Sequence, residues 1–203
     1  MVRSTFFDIM KNSWGSVIIF LSIITLLRIT YLFSNKKKFV LHEEILNLIA
    51  ISYLLLLFEL VTDRDVNFGG INWIPFKEIL RYDVGTTNFY KQVIGNIILF
   101  IPFGFFASYY VNIKRLGLIT FITLISSTII ETVQYYIGRS FDIDDILLNL
   151  VGGILGFLVY IALDAIRKHL PSFLQKDIVY NILTICIVIV IVLYFMGTFK
   201  VWI

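Results

Sequence analysis

The sequence predicts an all-α polytopic membrane protein, a bundle of about six transmembrane helices with a short interfacial helix between the second and third. Three observations carry this. Of 203 residues, 59% are hydrophobic and only 15% charged, with a mean hydropathy of +0.89, which leaves too little polar surface for a soluble domain. Uninterrupted apolar runs such as Ile94 to Val111 and Ile178 to Met196 approach the roughly 20 residues a helix needs to cross a roughly 30 Å hydrocarbon core. The net charge of +3 is dispersed in short segments between those runs, which excludes a phosphate-tracking surface and hence a nucleic-acid partner. A single cysteine, Cys186, excludes an internal disulfide, a thiolate metal site and a redox pair.

The spans fall near 14 to 33, 41 to 61, 94 to 111, 116 to 137, 144 to 163 and 178 to 196. The first has no small-residue cleavage site before it and is followed by Lys36, Lys37 and Lys38, so it reads as a retained helix and not a removed signal peptide. Six spans put both termini on one side. The opposite side holds Lys36, Lys37, Lys38, Lys114, Arg115, Arg167, Lys168 and Lys176 against Glu43, Glu44, Asp164 and Asp177 in three short connections. The longer loops carry Arg3, Lys11, Arg64, Lys77, Arg81, Lys91, Arg139 and Lys200 mixed with acids. The denser set is expected in the cytoplasm and both termini outside. The chain divides into an N-terminal helix pair (1–66), a core (67–163) and a C-terminal helix (164–203).

Residues 62 to 93 form the longest connection. Pro75 suits a helix's first turn, and Phe76, Ile79 and Leu80 share a face, so a short interfacial helix is expected, with Trp73, Phe76 and Tyr82 at headgroup depth and Lys77 and Arg81 toward water. An anchoring role and a lid over a site are both open. Pro102 removes a hydrogen bond and should kink or break the third span. Gly152 and Gly156 form a small-xxx-small stripe, and Gly95 and Gly104 offer a similar close approach.

A polar group held in a span costs several kcal/mol unless it is paired or reaches water. Following the spans in alternation, Glu59, Asn96, Glu131, Gln134, Asp144, Asp145 and Asn149 gather at one membrane face, while Arg28 lies at the other. Glu131 and Gln134, three apart, share a helical face. The segment from Gly138 to Asp145 turns the chain directly above them, bringing Arg139, Asp142, Asp144 and Asp145 close. Glu131 lies about 10 Å inside its helix end. Any single aspartate is explained by capping of the fifth span. One helix start needs only one cap, so the convergence of the group points to a site.

The chemistry open to it is carboxylate acid/base work by Glu131, Asp142, Asp144 and Asp145, a hard cation such as magnesium, or recognition of a polar headgroup with Asn96, Gln134, Arg139 and Asn149 as ligand-binding residues. An EF-hand is excluded by Ile146 and the missing turn glycine. His42 and His169 are expected to be solvated on the far side, and no hydrolase elbow is present. A transporter is disfavoured because no acid lies at mid-bilayer.

The stretches GlyAsnIleIleLeuPheIleProPheGlyPhe, GluThrValGln and GlyArgSerPheAspIleAspAspIleLeuLeuAsnLeuValGlyGlyIleLeuGly, with AsnTrpIleProPhe before them, resemble the VanZ-like family over roughly Asn72 to Tyr160. Asn96, Phe100, Pro102, Gly104, Glu131, Gln134, Arg139, Asp142, Asp145, Asn149, Gly152 and Gly156 occupy positions that the family motif marks. The resemblance implies a multi-pass protein of the bacterial plasma membrane, from a family named for a member that lowers sensitivity to the lipoglycopeptide teicoplanin. On this reading an outward-facing polar pocket engages a membrane lipid, a lipid-linked cell-wall precursor or a lipopeptide. An intramembrane carboxylate- or metal-dependent enzyme acting on a lipid-linked envelope substrate is the alternative. Assembly into a homo-oligomer is left open.

Overall fold

The computed structural model describes the backbone of residues 2–62 and 70–200, with side chains from 17 to 62 and from 70 to 194. The charges expected at Arg3, Lys11, Arg64 and Lys200, and the 66/67 boundary, lie outside the described residues. The long helices are α1 (Val2–Ser34), α2 (Leu41–Thr62), α4 (Gly95–Val111), α5 (Leu116–Tyr136), α6 (Ile143–His169) and α7 (Asp177–Lys200). A short α3 (Thr87–Phe89) precedes α4. Six helices are long and apolar enough to cross a membrane, as the apolar runs require.

α6 is the centre of the bundle. It packs on α4 and α5, while α2 joins them to α1 and α7. Of the spanning windows, 44% of that in α6 is buried, against 6% for α1 and none for α7, so the outer helices present their apolar side chains to lipid. Glycines make the central contacts possible. A Cβ at Gly152 would collide with the Ile97 carbonyl, one at Gly156 with that of Ile101, and one at Gly104 with Gly153, while Gly153 faces Thr123 of α5. α6 thus approaches α4 at backbone distance, while Gly153 makes room for the Thr123 side chain of α5. Gly95 takes no part: a Cβ there would meet only Tyr90 of its own helix.

The third span starts earlier than its apolar run. Thr86 caps α3 by accepting from the Phe89 N–H at 3.2 Å, and a π-turn (Tyr90–Ile94) carries the helix into α4, so one spanning segment runs Thr87–Val111. Polar Asn88, Lys91 and Gln92 gave this stretch the look of a loop. Pro102 does not break α4, which continues through it. The Tyr53 hydroxyl of α2 donates to the Leu99 carbonyl at 3.0 Å, next to the Ile98 carbonyl that the proline leaves without its helical donor.

The interfacial segment is a series of turns ending in one 3-10 turn (Ile79–Arg81), not a longer amphipathic helix. Phe76, expected in the helix's first turn, has φ of 66°, a left-handed conformation that a helix excludes. Before it, β1 (Ile71–Asn72) pairs in parallel with β2 (Phe141–Asp142), Ile71 opposite Phe141 and Asn72 opposite Asp142. The long loop is thereby stitched to the turn before α6. At the other end of the bundle Ile113, Ile119 and Phe157 form an apolar cluster packed by Ala107, Ile122 and Ile161. His42 is half-buried and not free in a loop: its backbone N–H donates to Asn181 Oδ1 of α7 at 3.0 Å, and its ring Nδ1 lies 2.8 Å from the same oxygen. His169 is exposed. Arg28 is held by Glu44 through Nε–Oε2 (2.9 Å) and Nη2–Oε1 (3.0 Å).

Candidate functional site

The site is built where α5 ends, α6 begins and the loop after α2 folds back. α5 stops in a Schellman turn: Gly138, at φ of 96°, sends its N–H to the Tyr135 carbonyl (3.1 Å), and Arg139 its own to that of Gln134 (2.9 Å). Glycine suits that left-handed position, and the turn sets Arg139 over the helix end. Glu131 is 2% exposed. Its Oε2 accepts the Asp142 N–H at 3.0 Å. With its amide oriented to satisfy both neighbours, Gln134 donates to Glu131 Oε1 and accepts from Arg139 Nη1, both at 3.0 Å. Arg139 therefore reaches Glu131 through an amide relay and not as a direct ion pair.

Each aspartate has a separate task. Asp142 caps α6, its Oδ1 accepting from the Asp144 N–H and from Asn72 Nδ2, both at 2.9 Å. Burial pushes the Asp142 carboxyl above its ordinary range, with Asp144 and Glu78 adding to the rise and the two donors opposing it. Asp144 is 1% exposed and accepts the backbone N–H groups of Phe76, Glu78 (2.7 Å) and Ile79 (3.2 Å). Its carboxylate sits at the start of the 3-10 turn, where peptide N–H groups converge on an anion. Asp145 accepts from Asn96 Nδ2 of α4. Asn149 lies deeper, with Nδ2 donating to Ser127 Oγ at 2.9 Å and Oδ1 without a partner.

A cavity of about 500 Å³ opens over this arrangement. Of the expected residues, Gln134, Arg139, Asp142, Asp144 and Asp145 line it. Glu131, Asn96 and Asn149 stand behind that lining. Loop residues that sequence reasoning left out also line it: Asn72, Glu78 and Gln92, together with Lys77, Arg81 and Tyr82, which had been placed toward water or headgroups. Arg81 pairs with Glu78 at 3.0 Å. Burial raises the Tyr82 hydroxyl's pKa. The signals for them were the length of the loop, the lid reading left open for it, and the AsnTrpIleProPhe stretch within the resemblance.

In the same segment that lines the cavity with Asn72, Lys77, Glu78, Arg81 and Tyr82, the intervening Trp73, Ile74, Phe76, Leu80 and Val84 stay exposed, so an apolar lip accompanies the charged interior. Among the described residues no three His, Cys, Asp or Glu side chains are placed to hold a metal ion. Asp144 spends both carboxylate oxygens on backbone N–H donors of the loop, while Asp142 and Asp145 each accept through Oδ1.

Comparison with known proteins agrees with this core. The chain is 37% identical over 95 residues to Protein VanZ of Enterococcus faecium, a match covering 44% of this chain and 52% of that protein, so the chain spans about half the length of the relative. No solved structure matches it. The model of the VanZ/LLP1 family matches residues 17–164, which takes in the first two spans, where the sequence showed no motif. A match over that much of the chain means that this multi-pass membrane protein belongs to the VanZ/LLP1 family.

Proposed function

We propose that the cavity faces outward across the bacterial plasma membrane and engages the polar part of an envelope amphiphile, a lipid headgroup, lipid-linked cell-wall precursor or lipopeptide. By doing so the protein lowers sensitivity to lipoglycopeptides such as teicoplanin. The observation that carries this reading is the pairing of a roughly 500 Å³ charged cavity with an exposed apolar lip at Trp73, Ile74, Phe76 and Leu80. An amphiphile in the interface places its head among Lys77, Arg139, Asp142 and Asp145 while its chain stays against the lip. Expression in a sensitive Gram-positive host tests it. The inhibitory concentration of teicoplanin rises more than that of vancomycin, which lacks the acyl tail. Equal protection against both drugs points to the precursor, and no protection with the protein in the membrane refutes the resistance role.

The enzymatic alternative draws on Asp142 and Asp145 opening on the same cavity. It requires that a lipid-linked substrate return chemically altered. Recovery of the bound amphiphile unchanged after incubation with magnesium excludes it.

A further inference from the structure

The opposite end of the bundle holds a second cavity, about 430 Å³ in volume, which the proposed function does not use. Its walls are Phe105, Tyr109, Tyr160 and Leu163, and its polar end is Asn112, Asp164 and Arg167. A hydrogen-bonded frame fixes that polar end. Asn112 closes α4 in the left-handed conformation, at φ of 56°, and accepts from the Tyr160 hydroxyl at 3.0 Å. Lys114 Nζ donates to that hydroxyl and to Asp164 Oδ2, both at 2.8 Å, and stands 4.6 Å from the centroid of the Tyr160 ring.

The charges do not balance. Lys168 also donates to Asp164 Oδ2, at 2.7 Å, so one carboxylate serves two lysines. Arg167 has only a loose approach of 3.9 Å to the same group, and its side chain is 64% exposed. Arg115 adds a fourth cation in the adjoining turn, and Glu43 of α2 is the other acid near enough to act on Tyr109. The Tyr109 hydroxyl has no hydrogen-bond partner among the described residues. Cations in the last turn of α6 offset its dipole, but that explains neither the aromatic walls nor the spare donors facing them.

We propose that this second cavity binds the phosphate headgroup of an anionic membrane phospholipid. Arg167 presents a planar fork suited to two phosphate oxygens, the Tyr109 hydroxyl donates a third bond, and an acyl chain lies along Phe105 and Leu163. The excess of cations selects an anionic headgroup over a zwitterionic one. The assignment is independent of the first cavity, which lies at the other membrane face.

Detergent-purified full-length protein is incubated with phosphatidylglycerol or phosphatidylcholine micelles, and retained lipid is counted by native mass spectrometry. Wild type should retain phosphatidylglycerol several-fold more than phosphatidylcholine. Arg167→Gln, at an exposed position that leaves the fold intact, should lose one equivalent of phosphatidylglycerol, whereas Lys77→Gln in the first cavity should keep it. Excess inorganic phosphate should not displace the lipid. Equal retention of the two lipids, an unchanged Arg167→Gln, or full displacement by inorganic phosphate would each overturn the proposal, the last by making this a free-anion site.

Discussion

Glu131, Gln134 and Arg139 show how one buried carboxylate is kept without a direct cation. Both Glu131 oxygens accept N–H groups, from the Asp142 backbone and the Gln134 amide, and the amide passes the interaction on to Arg139. At Asp142 the same economy has a pH signature. Its folded-state pKa is raised, so the folded protein binds more protons than the unfolded chain between the ordinary aspartate value of about 4 and that raised value. Stability therefore falls as pH rises through this window. Asp142→Asn keeps the capping oxygen and removes the titration, so thermal melts of wild type and variant should agree at the acid end and separate, with the variant higher, as pH increases. Thr123 offers a second case. It is fully buried and its hydroxyl has no partner among the described residues, so Thr123→Val should raise stability by about 1 kcal/mol in denaturant titrations, since an unsatisfied buried group costs about 1–3 kcal/mol. A drop would mean that the hydroxyl bonds a buried water.

The elements were legible in the sequence wherever hydropathy controls them and hidden wherever polar groups are spent on backbone. The runs over α2 and α5 mark both ends of their helices closely, and that over α6 marks its start, whereas α6 runs on past the expected end at 163 to His169 through its basic last turn. Thr87 to Ile94 did not, because Asn88, Lys91 and Gln92 break the apolar pattern while the Thr86 cap and the π-turn continue the helix. Pro102 was expected to kink or break α4, and the helix continues through it; the Tyr53 hydroxyl arriving from α2 on the neighbouring Leu99 carbonyl is a tertiary contact with no sequence signature. The loop before α3 is the largest difference. Its amphipathic spacing suggested a helix, but three of its N–H groups go to Asp144, which is 65 or more residues away in sequence, and that pairing selects turns. Asp144→Ala should then release the loop: protease cleavage between Ile71 and Tyr82 should accelerate at least tenfold while the six helices keep their circular dichroism. Glycine contacts act at this scale too. Gly152→Ala should cost about 1–3 kcal/mol, the range for overpacking a tight core, because its Cβ would land on the Ile97 carbonyl.

For the whole molecule, two polar ends are separated by a tight glycine-mediated seam between α4 and α6. That barrier supports binding at each face more than passage between them. The gathering of Gln134, Arg139, Asp142, Asp144 and Asp145 on one cavity followed from span order alone, since alternation puts the end of α5 and the start of α6 together. The roles within it did not follow, because which oxygen meets which donor depends on the loop that folds over them. The proposed function requires this cavity to bind an acylated envelope ligand through its charged interior. The most direct measurement is saturation binding of teicoplanin, with vancomycin as the comparison, to purified protein in phosphatidylcholine nanodiscs, for wild type, Arg139→Ala and Asp145→Asn. Wild type should bind teicoplanin saturably, both variants should bind it at least tenfold more weakly at unchanged melting temperature, and vancomycin should show no saturable binding. Equal teicoplanin binding by all three proteins, or none by the folded wild type, would contradict the proposed function.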